Sequence, residues 1–328
     1  MNVACSQFVA HPTGLSLTLT LNEIIAGQTA RRAESDPMTS WLSSASRSKP
    51  NVLFLLVDDF RPFLRSYGES FMVTPNIDQL ASKSVRFDRA YAQQAVCVPS
   101  RLSFTTGRRP LTLKVLDLKT YWRDPVRGGG NFTTLSQYFQ QNGYVSHGAG
   151  KIYHNGKGGG DHNSVEQQDR EKRSASYIYV NETATEKLKD TLVTDHAIRW
   201  LENRDTQKPF FLAVGFSKPH LPFAFPQKFL ALYDETNIQL AKYRTPPAGL
   251  PRFVLNSWGE LRGYADIKAL GLASNELVLP DDVQFKLKQA YAAAVTHVDD
   301  QVGRLLSRLS ELGLTNNTII TFISDHGL

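Results

Sequence analysis

Three short apolar runs constrain this chain more than any other feature. They are Asn51-Val52-Leu53-Phe54-Leu55-Leu56-Val57, Lys208-Pro209-Phe210-Phe211-Leu212-Ala213-Val214-Gly215 and Thr318-Ile319-Ile320-Thr321-Phe322-Ile323-Ser324. None shows the strict polar–apolar alternation of a half-solvated strand. Runs of this length and character are strands covered on both faces, as in parallel sheets. The covering layers must be helices, and helical patterns are read at residues 75–81, 100–106, 133–141, 182–203 and 283–312. Gly143 and Gly313 stop two of them. In the 182–203 helix the expected buried positions include Leu188, Leu192, His196, Ile198 and Trp200. The expectation is an α/β fold with a mostly parallel central sheet sandwiched by helices.

Chemistry-bearing residues follow the strands. Asp58-Asp59 follows the first run, Ser217-Lys218-Pro219-His220 the second and Asp325-His326 the third. Gly150-Lys151-Ile152-Tyr153-His154 follows a shorter strand read at 144–147. Open α/β sheets bind ligands outside the carboxyl ends of their strands. Adjacent acids there suit a hard metal ion, with an ordinary solvated turn as the alternative. A strand at 85–91 leads into Gln94-Ala95-Val96-Cys97-Val98-Pro99-Ser100-Arg101. Pro99 suits the first turn of a helix. Cys97 would then sit just ahead of a helix N-terminus, a natural anion site, with Arg101 adding a fixed positive fork. A small buried hydrophobe is the plainer reading of the cysteine.

Cys97-Val98-Pro99-Ser100-Arg101, continued by Thr106-Gly107-Arg108, resembles the Cys-x-Pro-Ser-Arg signature of type I sulfatases, members of the alkaline-phosphatase-like superfamily. The strand with Asp58-Asp59, the Gly-Lys-x-x-His element, Lys218-Pro219-His220-Leu221-Pro222-Phe223 and Asp325-His326-Gly327 match the family in order. The run 92–97, Leu118 to Arg123 and Asn256-Ser257-Trp258 resemble the branch acting on sulfated iduronate. The resemblance implies an enzyme that removes 2-O-sulfate from iduronate in dermatan or heparan sulfate. It implies that Cys97 is oxidised to formylglycine by the formylglycine-generating enzyme, and that its hydrate attacks sulfur. Asp58, Asp59, Asp325 and His326, with the modified Cys97, would hold one Ca²⁺. A nitrogen ligand is unusual for calcium, so weak metal contact or a sulfate oxygen is open to His326. Arg101, Lys151 and His220 would neutralise the sulfate. His154 is the candidate base for collapse of the sulfated enzyme, and Lys218 a weaker candidate for the site. A related phosphatase or phosphonate hydrolase, and an inactive glycan-binding chain, are the alternatives.

At 328 residues, 41% hydrophobic and 21% charged, the composition is that of a globular protein. A net charge of +6 favours acidic partners, but no nucleic-acid motif or dense basic run is present. No apolar run reaches membrane-spanning length, and two cysteines define no disulfide framework. Residues 1–48 are read as a disordered leader and linker without a clear signal peptide. Residues 49–328 are read as a sulfatase N-terminal catalytic domain, incomplete because family members continue with another active-site lysine and a C-terminal subdomain. A lysosomal or secreted location follows from the resemblance, and Asn131, Asn181 and Asn316 begin glycosylation tripeptides. Tyr121 and Trp122 fit a sugar pocket or the core equally. His297, Asp299 and Asp300 resemble a metal cluster on paper, but helix neighbours diverge, so a solvated or capping face is expected.

Overall fold

The computed structural model describes residues 4–5, 7–10, 49–124, 130–154, 175–183, 186–243, 245–251, 258–273 and 278–327. A six-stranded sheet lies at its centre. Its strands are β1 (Gln7–Ala10), β2 (Asn51–Val57), β3 (Val85–Arg86), β4 (Val145–Gly150), β5 (Phe210–Phe216) and β6 (Thr318–Ser324), in the spatial order β3-β1-β6-β2-β5-β4. The inner strands β6, β2 and β5 and the edge strand β4 run parallel. β1, from the segment read as leader, lies antiparallel between β6 and β3. The helices are α1 (Pro75–Ser82), α2 (Cys97–Thr106), α3 (Pro110–Leu113), α4 (Leu135–Gln141), α5 (Lys189–Asn203), α6 (Ala265–Lys268) and α7 (Asp281–Glu311).

Successive side chains of a strand point to opposite faces, and both faces here are covered. Leu53, Leu55 and Val57 of β2 pack with Ile77 of α1, Val193 and Ala197 of α5 and the alanine-rich centre of α7. Val52, Phe54 and Leu56 pack on the other side with Val98 and Leu102 of α2, Leu113 and Trp122. This two-sided burial is the physical reason the run lacks alternation. The α/β sandwich expected from sequence is the observed one.

Register then sets up the site. Ser324 pairs with Val57, Val57 with Phe216, and Gly150 with Gly215. Four parallel strands therefore stop along one edge, and the residues that follow them leave it together. Gly150 makes the turn to Lys151 at φ 74°, and a Cβ there would lie 2.1 Å from Gly215 O. Only glycine allows that approach.

Several local expectations shift. α2 starts at Cys97 itself, so the cysteine is the first helical residue rather than the one before the helix. Pro99 is tolerated because the first four N–H groups have no intrahelical acceptor. α5 begins at Lys189, and its buried face is Val193, Ala197 and Leu201, while Leu192 is exposed. The strand read at 85–91 is two two-residue pieces, Val85–Arg86 and Ala90–Tyr91. Trp122 belongs to the core. Asp299 is buried and caps another helix, accepting from the backbone N–H of Asn76 and Ile77 at the start of α1. His297 is wholly buried, not solvated. The segment 155–179 is expected from its sequence to be a long surface loop; residues 155–174 and most of the leader lie outside the described residues, but Tyr177–Val180 is a strand pairing parallel with Phe223–Pro226.

Candidate active site

Arg101 is the hub of the strand-end cluster. It projects from α2 with no solvent exposure. Its Nη2 donates to Asp58 Oδ1 at 2.6 Å and its Nε to Asp325 Oδ2 at 3.0 Å. Nη1 donates to the backbone carbonyls of Lys151 and Ile152. One guanidinium thus ties together the ends of β2, β6 and β4, which a planar five-donor fork can do and an ammonium cannot. Lys151 Nζ reaches the other oxygen of Asp58.

Asp59 and Asp325 are locked mainly through backbone contacts. Asp59 adopts φ 54°, in the left-handed region, where only a minority of non-glycine residues lie. Its N–H donates to Asp325 Oδ1 at 3.0 Å, and its carbonyl accepts from Tyr291 OH at 2.9 Å. Asp325 Oδ1 also accepts the His326 N–H at 2.8 Å. Ser100 Oγ donates to the Asp325 carbonyl, and Ser324 Oγ donates to the His326 carbonyl while accepting from Phe60 N–H.

Three carboxylates therefore face two fixed cations, and both cations lean on Asp58. The titration behaviour follows. Burial opposes ionisation of Asp58, but Lys151 and Arg101 outweigh it and hold its carboxyl well below the usual range. Burial, reinforced by Asp58 and Asp325, pushes Asp59 well above that range. Burial raises Asp325 to about 6, with Arg101 opposing and Asp58 adding to the rise. Asp59 Oδ1 is buried and makes no hydrogen bond, although His326 Nδ1 stands 3.1 Å away. Both carboxylates that follow β2 and the one that follows β6 offer an oxygen to a common point, as Asp58, Asp59 and Asp325 place atoms within 4.8 Å of one another. An all-oxygen cluster short of positive charge, with an orphaned buried oxygen, fits a hard divalent cation.

Cys97 closes the site. Its Sγ lies 3.2 Å from His326 Nε2. Burial, then Asp58, pushes its thiol up, so in the chain's own field it is neutral. The nucleophilic form of a cysteine is the thiolate, and this environment opposes it. His220 enters from the β5 end. Its Nδ1 is 2.6 Å from Leu221 O; a carbonyl only accepts, so Nδ1 carries the proton. Its Nε2 then faces Asp59 Oδ2 at 3.6 Å and Glu260 Oε1 at 3.7 Å. Burial lowers its pKa, with Asp58 opposing.

The structure brings Asp58, Asp59, Cys97, Arg101, Lys151, His220, Asp325 and His326 together. His154 is half-buried, three residues past Lys151 on the same connection. Lys218 turns back on its own loop, donating from Nζ to Pro222 O at 2.8 Å. Glu260 was not legible: it stands in a stretch without periodicity, and no local signal marks it. Ser100 and Ser324 adjoin recognised residues but hold backbone rather than ligand.

The model of the sulfatase family matches residues 50–328, from the first residue before β2 to the end of the chain. The chain belongs to the sulfatase family. Iduronate 2-sulfatase of Homo sapiens is 43% identical over 302 residues, covering 84% of this chain and 54% of that protein. A sulfatase of Formosa agariphila is 33% identical, covering 85% and 59%. The chain thus spans about half the length of the curated relatives it matches. Phosphonate monoester hydrolase of Agrobacterium radiobacter shares the fold at TM-score 0.63 and 20% identity, over 85% of this chain and 63% of that one. The fold is also that of BT4656, solved with its substrate D-glucosamine-2-N,6-O-disulfate, at TM-score 0.59 and 23% identity, over 85% and 66%. The sheet with its flanking helices therefore has the alkaline-phosphatase-like fold of sulfatases.

Proposed function

We propose that this chain carries the reaction centre of a sulfuric ester hydrolase that removes 2-O-sulfate from iduronate in dermatan or heparan sulfate. The observation that carries the proposal is Cys97, at the start of α2, facing three carboxylates that are met by only two cations, Arg101 and Lys151. The 43% identity to human iduronate 2-sulfatase supports the choice of sugar.

Asp58, Asp59 and Asp325 would hold one Ca²⁺, with His326 and the modified Cys97 at its border. The ion would supply positive charge for a sulfate oxygen. Cys97 as a neutral buried thiol is a poor nucleophile, and its oxidation to the aldehyde of formylglycine, by a formylglycine-generating enzyme, followed by addition of water, would provide a hydroxyl of the hydrate in its place. Arg101 keeps Asp58 and Asp325 aimed at one point. Lys151, on the open side of Asp58, is placed to neutralise an incoming sulfate. His220 presents a bare Nε2 toward the same cluster; it is the candidate to assist the leaving sugar oxygen, which it could protonate only in the imidazolium form, after Nε2 has taken up a proton. His326, 3.2 Å from the Cys97 side chain, orients the nucleophile, and His154 is assigned the base of the second half-reaction. The exposed Asn131, Asn181 and Asn316 suit glycans on a lysosomal or secreted protein.

The test is mass spectrometry of the Cys97 peptide from protein secreted by a host with an active converting enzyme, with turnover of a 2-sulfated iduronate disaccharide and a phosphate ester. Formylglycine and faster sulfate release are expected. An unmodified thiol, or preference for the phosphate ester, would overturn the assignment.

A further inference from the structure

Asp190 is a buried acid outside the strand-end cluster with an unexplained degree of order. It sits in the first turn of α5 at 1% exposure. Both its oxygens accept backbone N–H groups from consecutive residues of another element: Ser217 to Oδ1 and Lys218 to Oδ2, each at 2.8 Å. A carboxylate that receives two backbone amides in this way fixes position and direction of the segment, because both bonds must be met at once. That segment is the exit from β5, and two residues later it carries His220.

The loop is braced a second time from within. Lys218 Nζ donates to Pro222 O and His220 O, closing the turn around the imidazole. The His220 N–H meets Ser217 O at 3.2 Å. With the backbone fixed on both sides, Leu221 O stands where His220 Nδ1–H can reach it, and Nε2 is left toward Asp59 and Glu260. Nothing on the imidazole itself selects that tautomer; the partner of the other nitrogen does.

We infer that Asp190 is a positioning residue, which by clamping the Ser217–Lys218 backbone sets the tautomer and aim of His220. Its part in turnover rests on the hydrolase proposal above; its effect on the ring does not. Asp190 touches neither the carboxylate cluster nor Cys97 among the contacts described. In Asp190→Asn one amide N–H would face an NH₂ group instead of an acceptor, and the loop would be released on that side.

The experiment uses the full chain labelled with ¹⁵N at histidine. In the wild type, His220 should show a protonated Nδ1 and a bare Nε2. In Asp190→Asn the His220 signals should move to the mixed-tautomer position of a free histidine. kcat should drop on the order of a hundredfold, as expected of a misplaced group, with KM little changed. Calcium affinity by titration calorimetry should stay as in the wild type, because the cluster is held by Arg101 and Tyr291. Asp190→Glu, which keeps both oxygens, should recover part of the loss. Unchanged His220 signals in a folded Asp190→Asn protein would overturn the inference. If that variant does not fold, amide exchange in the wild type decides: slow exchange at Ser217 and Lys218 is required, and loop-like exchange would overturn it. An inactive wild type whose His220 signals still respond to Asp190→Asn would remove the hydrolase proposal and leave the positioning role standing.

Discussion

Arg101 shows how much one buried residue decides. Its guanidinium has no solvent contact and meets two carboxylates and two backbone carbonyls. Burial works against its charge, but Asp325 and Asp58 outweigh that and raise its pKa. Arg101→Lys keeps the charge and loses the fork, so at least one of Asp58 and Asp325 is left buried without its donor. Breaking a buried pair in this way costs about 3–5 kcal/mol, and urea unfolding should show a loss of that order. Arg308 is the contrast. It bridges Glu202 and Glu311 at the surface, where water screens the pair. Arg308→Ala should leave the unfolding midpoint essentially in place. Equal losses in the two variants would mean that the Arg101 network is not formed as described. The signature made Arg101 legible as a positive fork near the cysteine. That the fork points inward, to carboxylates and carbonyls, was not legible, because it depends on three strand ends meeting.

At the scale of elements, β2, β5 and β6 were readable from their apolar runs, which are short, rich in β-branched and aromatic residues and closed by polar turns, as strands covered on both faces are. α5 was readable as a helix but not in its facing. Of the expected positions Leu192 is exposed, Ile198 and Trp200 are partly buried against the core, with Trp200 stacked on His147, and the fully buried apolar positions are Val193, Ala197 and Leu201. α7 was legible as a long helix, and the capping role holds for Asp299, but the helix's burial was not legible. Its centre, from Ala290 to Gly303, is almost entirely enclosed, so His297 and Asp299, which diverge on the helix surface, are both inside, and Asp300 is half-buried. His297 pays no part in the strand-end cluster; it lies beside Phe229, and neither ring nitrogen has a hydrogen-bond partner. Burial, with Lys218, Lys228 and Arg304 adding to it, lowers its pKa to about 3. The unfolded chain binds a proton at this residue near pH 6.5. A histidine whose folded pKa is depressed contributes stability that is complete above pH 6.5 and is lost as pH falls toward 3. By pH 5 the loss is about 2 kcal/mol. Asp299, raised to about 6 by burial, changes in the opposite direction over part of this range, so the comparison must be between two proteins. His297→Leu removes the proton site and both orphan nitrogens. Between pH 7 and pH 5 it should lose about 2 kcal/mol less than the wild type in urea unfolding. Parallel losses would show that the ring takes up its proton in the folded state.

At the scale of the whole molecule, the site exists only because distant segments close on each other. Asp59 and Asp325 are 266 residues apart and share a hydrogen bond, made possible by β2 and β6 lying side by side in register. The acids were legible one strand at a time, as polar residues after apolar runs. Glu260 and Asp190 were not, because neither follows such a run and each acquires its place from packing. A cation bound by Asp58, Asp59 and Asp325 would bridge the two strands in the folded chain and find no such set in the unfolded one. Its binding free energy would therefore appear as folding stability. At a hundredfold excess over Kd the gain is about 2.7 kcal/mol. The wild-type chain should melt higher in calcium than in chelator, with magnesium less effective because the cluster offers no octahedral cage. Asp325→Asn should abolish the calcium-dependent part, since it removes one anionic ligand and weakens the grip of Arg101 on the third strand end. A midpoint indifferent to chelation, or a calcium shift that survives in Asp325→Asn, would place any bound cation away from the junction of β2 and β6. The excess of negative charge there would then need another partner, and the neutral state of Asp59 favoured by its burial would be the working form of the site.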